Sequence, residues 1–511
     1  MDPAMIDFLP AYKRWGYNNT FAKGFLLTPE FLPDLVHPRW QRLGIGPYHL
    51  QVDPELPHES ASAIPRAVSA TRGPSTSSAP TGSAAIILGY AWDQSGRRSG
   101  IAKHLLRLTT QDELDEYITW LTGRFVILVW REGRLLVYSD PLATRSVYHH
   151  EGGGIALASH AELLSRRAGG LPSTEARWIL RHPDYQDPFG RWIPTLTTTH
   201  DGVGQLYANH RLELVAGEVR QQRFFPRAER QTLPLEEAAT AVRDEFRRQV
   251  RLWSQAASTR VLTLTGGSDS HTILKAARAE LDPATTLALT YHSFTRNPGS
   301  TKLDVLVANA RATRAGLRHL IIDLPNPVSE DFRGLYTTTF PVWARHIALA
   351  AGLYRHAPAR AATMYGIGGA ILTSMWATRD AKAPTPEVLA AKYTASPMKE
   401  DPRLLEQFER WMDHTQFTNE ALKGHDFYDF FHWEHRMTKW AGYGYSEFDL
   451  ATTPAPIFSS RRLLLAGLSV PLEDRMSKAI YRHILEEANA QMVRMRGSLK
   501  NRVLRRLRSR R

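Results

Sequence analysis

The chain has 511 residues, 43% of them hydrophobic and 23% charged, an ordinary balance for a globular protein with room for two to four domains. It contains no cysteine, which excludes disulfides, thiolate zinc sites, iron–sulfur clusters and thiol nucleophiles together. The net charge is +13, no apolar run approaches the ~18 residues of a membrane helix, and the start, Met-Asp-Pro-Ala-Met-Ile-Asp-Phe, lacks a secretion pattern. A cytoplasmic protein without a membrane span is expected.

In chain order, residues 64–84 are poor in bulky apolar groups and predict a disordered surface loop. Short strand-like runs follow at Ala85–Tyr90, Arg124–Trp130, Arg134–Tyr138 and Ile155–Ser159, with a helix at Asp112–Leu121, as in an antiparallel sheet carrying helices. A domain boundary is placed near residue 228, giving domains 1–228 and 229–511. Apolar residues at helical spacing predict a helix over Leu235–Trp253. Strands at 261–265, 286–292 and 318–323, with a helix at 302–315, then imply a parallel sheet with crossover helices, and 340–485 reads as mainly helical. The C-terminus crowds Lys500, Arg502, Arg505, Arg506, Arg508, Arg510 and Arg511 together. Such a tail suits nucleic acid or an anionic surface, but no zinc-finger or RNA-binding signature accompanies it, so a solvated end is expected.

The most informative stretch is Arg260–Lys275. A β-branched run stops at Gly266-Gly267, and Ser268-Asp269-Ser270 opens a helix. Glycines let backbone N–H groups approach a ligand, and a helix start adds unpaired N–H groups and a positive dipole end, so the turn suits phosphate. It lacks the Gly-Lys-Ser/Thr ending of a Walker loop. Gly-Gly-x-Asp-Ser after a strand resembles instead the pyrophosphate loop of ATP pyrophosphatases; the bland alternative is a glycine turn in an ordinary βα unit.

A second stretch agrees. Gly123-Arg124-Phe125, Ser139-Asp140-Pro141, Arg145-Ser146-Val147-Tyr148 and Ala158-Ser159-His160-Ala161-Glu162 stand in an order that resembles the glutaminase-type domain of glutamine-hydrolysing asparagine synthetases. The resemblance covers residues 85–485. It implies an Ntn-hydrolase-like antiparallel domain followed by a pyrophosphate-loop ATP pyrophosphatase domain with a parallel sheet and a helical extension. It also implies ATP and Mg²⁺, with Thr265, Gly266, Gly267, Ser268, Asp269 and Ser270 on the pyrophosphate, Asp269 on the metal, and Gly366 and Gly368 beside AMP.

The chain departs from that family in three places. The glutaminase nucleophile is an N-terminal cysteine, and here the second residue is Asp2 and cysteine is absent, so glutamine hydrolysis is not expected. β-Lactam synthetases and lasso-peptide cyclases are similar in this respect and use a substrate amine. The family's Ser-Gly-Glu-Gly-x-Asp-Glu loop is matched by Tyr365-Gly366-Ile367-Gly368-Gly369-Ala370-Ile371, which keeps the glycines and loses the acids. Thr265 replaces the usual serine and keeps its hydroxyl.

Other candidates carry two readings each. Asp304 is near the nucleotide, or is a first-turn helix acid. Glu434, before Arg436-Met437-Thr438-Lys439, matches an acid that assists amine attack, with Arg436 and Lys439 offsetting charge; the alternative is a core helix. His432 and His435 lack the company of a zinc site. Pro454–Phe458, followed by Arg461-Arg462, reads as a structural turn. Lys478 and Lys500 are both candidates for a lysine that stabilises the leaving group. The expected function is an AMP-forming, amide-bond-forming ligase joining a small-molecule or peptide carboxylate and amine, with Asp269, Glu434 and Lys439 in the chemistry and a homodimer as a possible assembly. The alternative is a degenerate relative that binds nucleotide or a partner without turnover.

Overall fold

A computed structural model describes residues 20–63, 82–152, 154–185, 192–293, 298–358 and 360–490. Most of the expected loop at 64–84, and the whole basic tail with Lys500, lie outside the described residues. The architecture is mixed: two six-stranded antiparallel sheets and one five-stranded parallel sheet, with helices around them.

The first sheet runs in spatial order Gly204–Gln205, Tyr148–His150, Ala156–Ala158, Phe25–Thr28, Tyr48–Val52, Gln41–Ile45. The second runs Glu218–Arg223, His210–Val215, Arg134–Ser139, Thr122–Arg131, Ser83–Trp92, His58–Ala63. They stack face to face: Phe25, Leu27, Leu50 and Val52 of the first meet Leu88, Val126, Leu128 and Val137 of the second in one cluster. Alternation sends Phe125, Ile127 and Val129 to the opposite face. There they join Val242, Phe246 and Trp253 of the helix Leu235–Ala256, and Val261 and Leu262 of the parallel sheet. Thr122–Arg131 is therefore buried along its whole length, which is why its middle, Phe125–Trp130, reads as an unbroken apolar run.

The parallel sheet has the spatial order Arg318–Asp323, Thr286–His292, Arg260–Thr263, Ala362–Tyr365, Thr453–Pro456, which is third, second, first, fourth, fifth along the chain. All four pairings are parallel. The order reverses between Arg260–Thr263 and Ala362–Tyr365. In open parallel sheets, ligands bind beyond the carboxyl ends of the strands at such a reversal.

Four differences from the sequence reading have physical causes. Ser83 and Ala84 belong to the strand Ser83–Trp92, paired with His58–Ala63, and not to a loop. The helix expected at 302–315 begins at Pro298, a residue suited to a first helical turn. The strand Ala362–Tyr365 is only four residues long, too short for a periodic signal. Thr453–Pro456 forms a strand despite two prolines because it is an edge, where a missing N–H goes unused.

A buried ionic lock joins the two halves. Arg124 makes two 2.7 Å bonds to the Asp449 carboxylate, with both side chains almost wholly buried. Asp140 organises its own loop by accepting from the N–H groups of Leu142, Thr144 and Arg145 and from the Thr144 hydroxyl, and takes a further bond from the Ser459 hydroxyl across the interface. The close approach is possible because residue 442 is glycine: a Cβ there would stand 2.8 Å from the Ala143 carbonyl oxygen. No helix among the described residues is long and apolar enough to cross a membrane.

Candidate functional site

At the reversal, the chain leaves the strand Arg260–Thr263 and enters the helix Ser268–Ala276 through Leu264–Gly267. Gly267 caps the helix with extended backbone and no side-chain acceptor, so the first helical N–H groups face outward without a cap. The turn is braced by its own hydroxyls. Thr265 N–H donates to Ser270 Oγ at 3.1 Å, and Gly267 N–H donates to Thr265 Oγ1 at 3.1 Å. Neither Gly266 nor Gly267 has a positive φ. Their smallness serves access to the backbone and not an unusual conformation.

The second glycine loop closes on the same place. A Cβ on Gly369 would stand 2.3 Å from Asp269 Oδ1, and one on Gly366 would stand 3.5 Å from Asp269 Cβ. Gly368, with φ +113°, sits where a Cβ would meet Phe458 at 2.8 Å. Thr265, Gly266, Gly267, Ser268, Asp269, Ser270, Gly366 and Gly368 thus gather at one end of the sheet, around the Asp269 carboxylate. Ile371 is wholly buried in the core, which accounts for an apolar residue at that position.

Polar and charged groups from two further segments, the helix Pro298–Ala315 and the stretch 478–481, reach the turn. Lys478 Nζ donates to Ser268 Oγ at 2.9 Å, and the Tyr481 hydroxyl donates to Asp269 Oδ1 at 2.8 Å. Arg311 Nη1 donates to the carbonyls of Thr265 and Gly267 at 2.7 and 2.8 Å. Asp304 Oδ1 accepts from the Gly266 N–H. Burial pushes the Asp269 carboxyl above its ordinary value, while the Tyr481 bond and the Lys478 charge oppose that shift. Magnesium needs several oxygen ligands, most of them commonly from phosphate and water. Among the described residues no group of three or more His, Cys, Asp or Glu side chains could hold a metal, so Asp269 offers a single carboxylate and not an all-protein cage.

No family model matches the chain, and no curated protein matches it. Among solved structures it is similar to glutamine phosphoribosylpyrophosphate amidotransferase from B. subtilis complexed with ADP and GMP, at 10% identity and a TM-score of 0.23. That match covers 61% of this chain and 62% of the other, so the chain spans less than two thirds of that enzyme's length. A second, described as the allosteric regulatory enzyme of purine biosynthesis, matches at 11% identity and a TM-score of 0.24, over 62% of this chain and 77% of that one. Likeness at this level decides neither fold nor activity, and the site is read from its own geometry.

Glu434 and Lys439 stand elsewhere. Both lie in a π-helix, His432–Ala441, packed on the antiparallel half. Glu434 is fully buried; Arg223 grips both its oxygens, at 2.5 and 2.8 Å, and Asn209 adds a third bond at 3.1 Å. With both oxygens engaged in this way, Glu434 ties the π-helix to the antiparallel half. Lys439 donates to the Thr197 carbonyl at 2.6 Å, and burial lowers its ammonium to about 7. Arg436 lies over Trp192 and Trp440. His435 Nε2 accepts from Thr195 N–H at 2.8 Å, and His432 Nδ1 lies 3.0 Å from the Met375 sulfur, so each ring is engaged in local packing.

A fully buried acid, Glu447, escaped the sequence reading. Glu447 Oε1 accepts from the Tyr336 hydroxyl and from His346 N–H, whereas Oε2 is buried without a hydrogen-bond partner. Burial raises its carboxyl to about 7, opposed by the Arg345 charge. Arg345 Nη1 and Glu447 Oε2 flank Gly444, at 3.4 and 3.9 Å from its Cβ position. The Arg345 charge is also felt by Tyr291, which in turn feels Asp304 at the glycine turn. The partners of Glu447 stand 111 and 101 residues before it in the chain, so no local motif announces it.

Proposed function

We propose that the chain is an ATP-dependent, AMP-forming ligase that makes an amide bond from a carboxylate and a substrate amine. The observation that carries this reading is the position of Gly266–Ser270, at the reversal point of a parallel sheet, opposite a second glycine loop that wraps Asp269.

A substrate carboxylate oxygen attacks the α-phosphorus of ATP; the bond to the bridging oxygen breaks and pyrophosphate leaves. The acyl-adenylate formed is then attacked by the amine, which loses a proton as AMP departs. In this reading the first helical N–H groups, those of Ser268 and Asp269, meet the departing pyrophosphate, with Lys478 and Arg311 offsetting its charge. Asp269 would hold Mg²⁺ together with phosphate oxygens, and the ion would neutralise developing negative charge. Thr265 and Ser270 keep the turn in shape, and Gly366 and Gly368 leave room for AMP. Glu447 takes the place of Glu434 as the group that receives the amine proton, because a carboxyl near neutrality whose Oε2 is buried without a hydrogen-bond partner suits a general base. Most of the acceleration comes from charges already in position. An Ntn-like ancestry for the antiparallel half is part of the same proposal and accords with its face-to-face sheets.

One observation favours the second reading, a nucleotide binder without turnover: Ile367, Ala370 and Ile371 stand where the resembled family carries polar or acidic groups. Isotope exchange between pyrophosphate and ATP, with Mg²⁺ and a panel of carboxylic acids, separates the two. Acid-dependent exchange that disappears in Asp269→Ala supports the ligase. Nucleotide binding without exchange supports the binder.

A further inference from the structure

The Asp304 contact sets this turn apart from a plain phosphate cradle. Backbone N–H groups in such a turn are the donors that receive anionic oxygens. Here the Gly266 N–H already donates to Asp304 Oδ1, which stands 2.6 Å from the Cβ position of Gly266. The approach to that donor is filled by a carboxylate of the chain itself.

Asp304 and Arg311 lie seven residues apart on the helix Pro298–Ala315, a spacing of about two turns that puts them on one face. That face holds the turn from both sides. Asp304 takes its N–H, and Arg311 takes the carbonyls on either side of Gly266. The two side chains also feel each other's charge, since Asp304 counters the burial that lowers the Arg311 guanidinium.

We propose that Asp304 is a resident anion on the turn, and that a pyrophosphate group reaches the Gly266 N–H only by displacing its carboxylate. Two anions cannot share one N–H in a half-buried site without strong repulsion. A polyanion that engages the helix N–H groups, Lys478 and Arg311 together can evict Asp304 by rotating its side chain, whereas a weak single anion cannot. Asp304 is thus a selectivity residue that keeps the turn closed to orthophosphate and open to the pyrophosphate end of a nucleotide. This rests on the turn being a pyrophosphate site, as proposed above.

The test is calorimetric titration of the full-length protein with inorganic pyrophosphate, and separately with orthophosphate, in magnesium-free buffer. Wild type, Asp304→Asn and Asp304→Ala are compared; the asparagine variant keeps size and shape. Both variants are expected to bind pyrophosphate at least about tenfold more tightly than wild type, and to acquire measurable orthophosphate binding. Equal affinity in all three proteins removes the role of Asp304 and leaves the pyrophosphate site standing. Weaker binding in the variants, the mark of an acid that aids the ligand, also overturns it. No pyrophosphate binding by any of the three overturns this proposal and the reading of the turn together.

Discussion

Replacing Glu434 by glutamine separates anchoring from chemistry. The substitution keeps size and removes one charge, leaving the Arg223 guanidinium, with only 6% of its side chain exposed, without its partner. Charge centres about 4 Å apart at an effective dielectric of about 20 interact by about 4 kcal/mol. Breaking a buried pair from one side typically costs about 3–5 kcal/mol, so the two figures agree. Scanning calorimetry of Glu434→Gln should therefore show a clear loss of stability. Arg223→Met/Glu434→Gln should recover part of it, a coupling that a double-mutant cycle reads directly. Pyrophosphate exchange per folded molecule, measured well below the unfolding transition, should stay within about twofold of wild type, because ~0.4 kcal/mol in barrier height is all that such a ratio represents. Exchange lost by orders of magnitude with unchanged stability would refute the assignment and return Glu434 to the reaction.

The remaining predictions concern the turn, the buried acid and the buried lysine. Gly369→Ala puts a methyl group 2.3 Å from Asp269 Oδ1 at a backbone conformation that alanine accepts, so ATP affinity should fall at least about tenfold with little change in melting temperature; fluorescence titration checks it. Glu447 has a folded value raised to about 7, so its neutral form is favoured in the fold. Its contribution to stability is complete below about pH 4.5 and is lost as pH rises to about 7, and Glu447→Gln should flatten the stability curve in that window. Lys439 has the opposite sign: its folded value is lowered to about 7, so stability from this group is present above about pH 10.5 and is lost as pH falls toward 7. Lys439→Met should abolish that slope in thermal melts across pH 7 to 10.

The parallel half was legible where its elements are long and apolar. Strands near 261, 286 and 318 and the helix near 235 all stand within a few residues of where periodicity places them. The glycine turn was legible because its residues are contiguous. The partners that complete it were harder to read: Lys478 was one of two candidates, and Tyr481 and Arg311 carried no signal beyond their residue type. Asp304 was open between two readings, and the structure puts its carboxylate on the Gly266 N–H. The hydrogen-bond partners of Glu434 were not legible, because Asn209 and Arg223 stand more than two hundred residues earlier in the chain. The strand Phe25–Thr28 went unread although it sits inside the first sheet, since four residues give no period to measure.

The most direct measurement is a crystal structure with a non-hydrolysable ATP analogue and Mg²⁺. The account predicts the β and γ phosphates against the N–H groups of Ser268 and Asp269, with the metal on Asp269 and the Asp304 side chain swung off Gly266. A nucleotide bound elsewhere, or a turn left empty at saturating analogue, would contradict it.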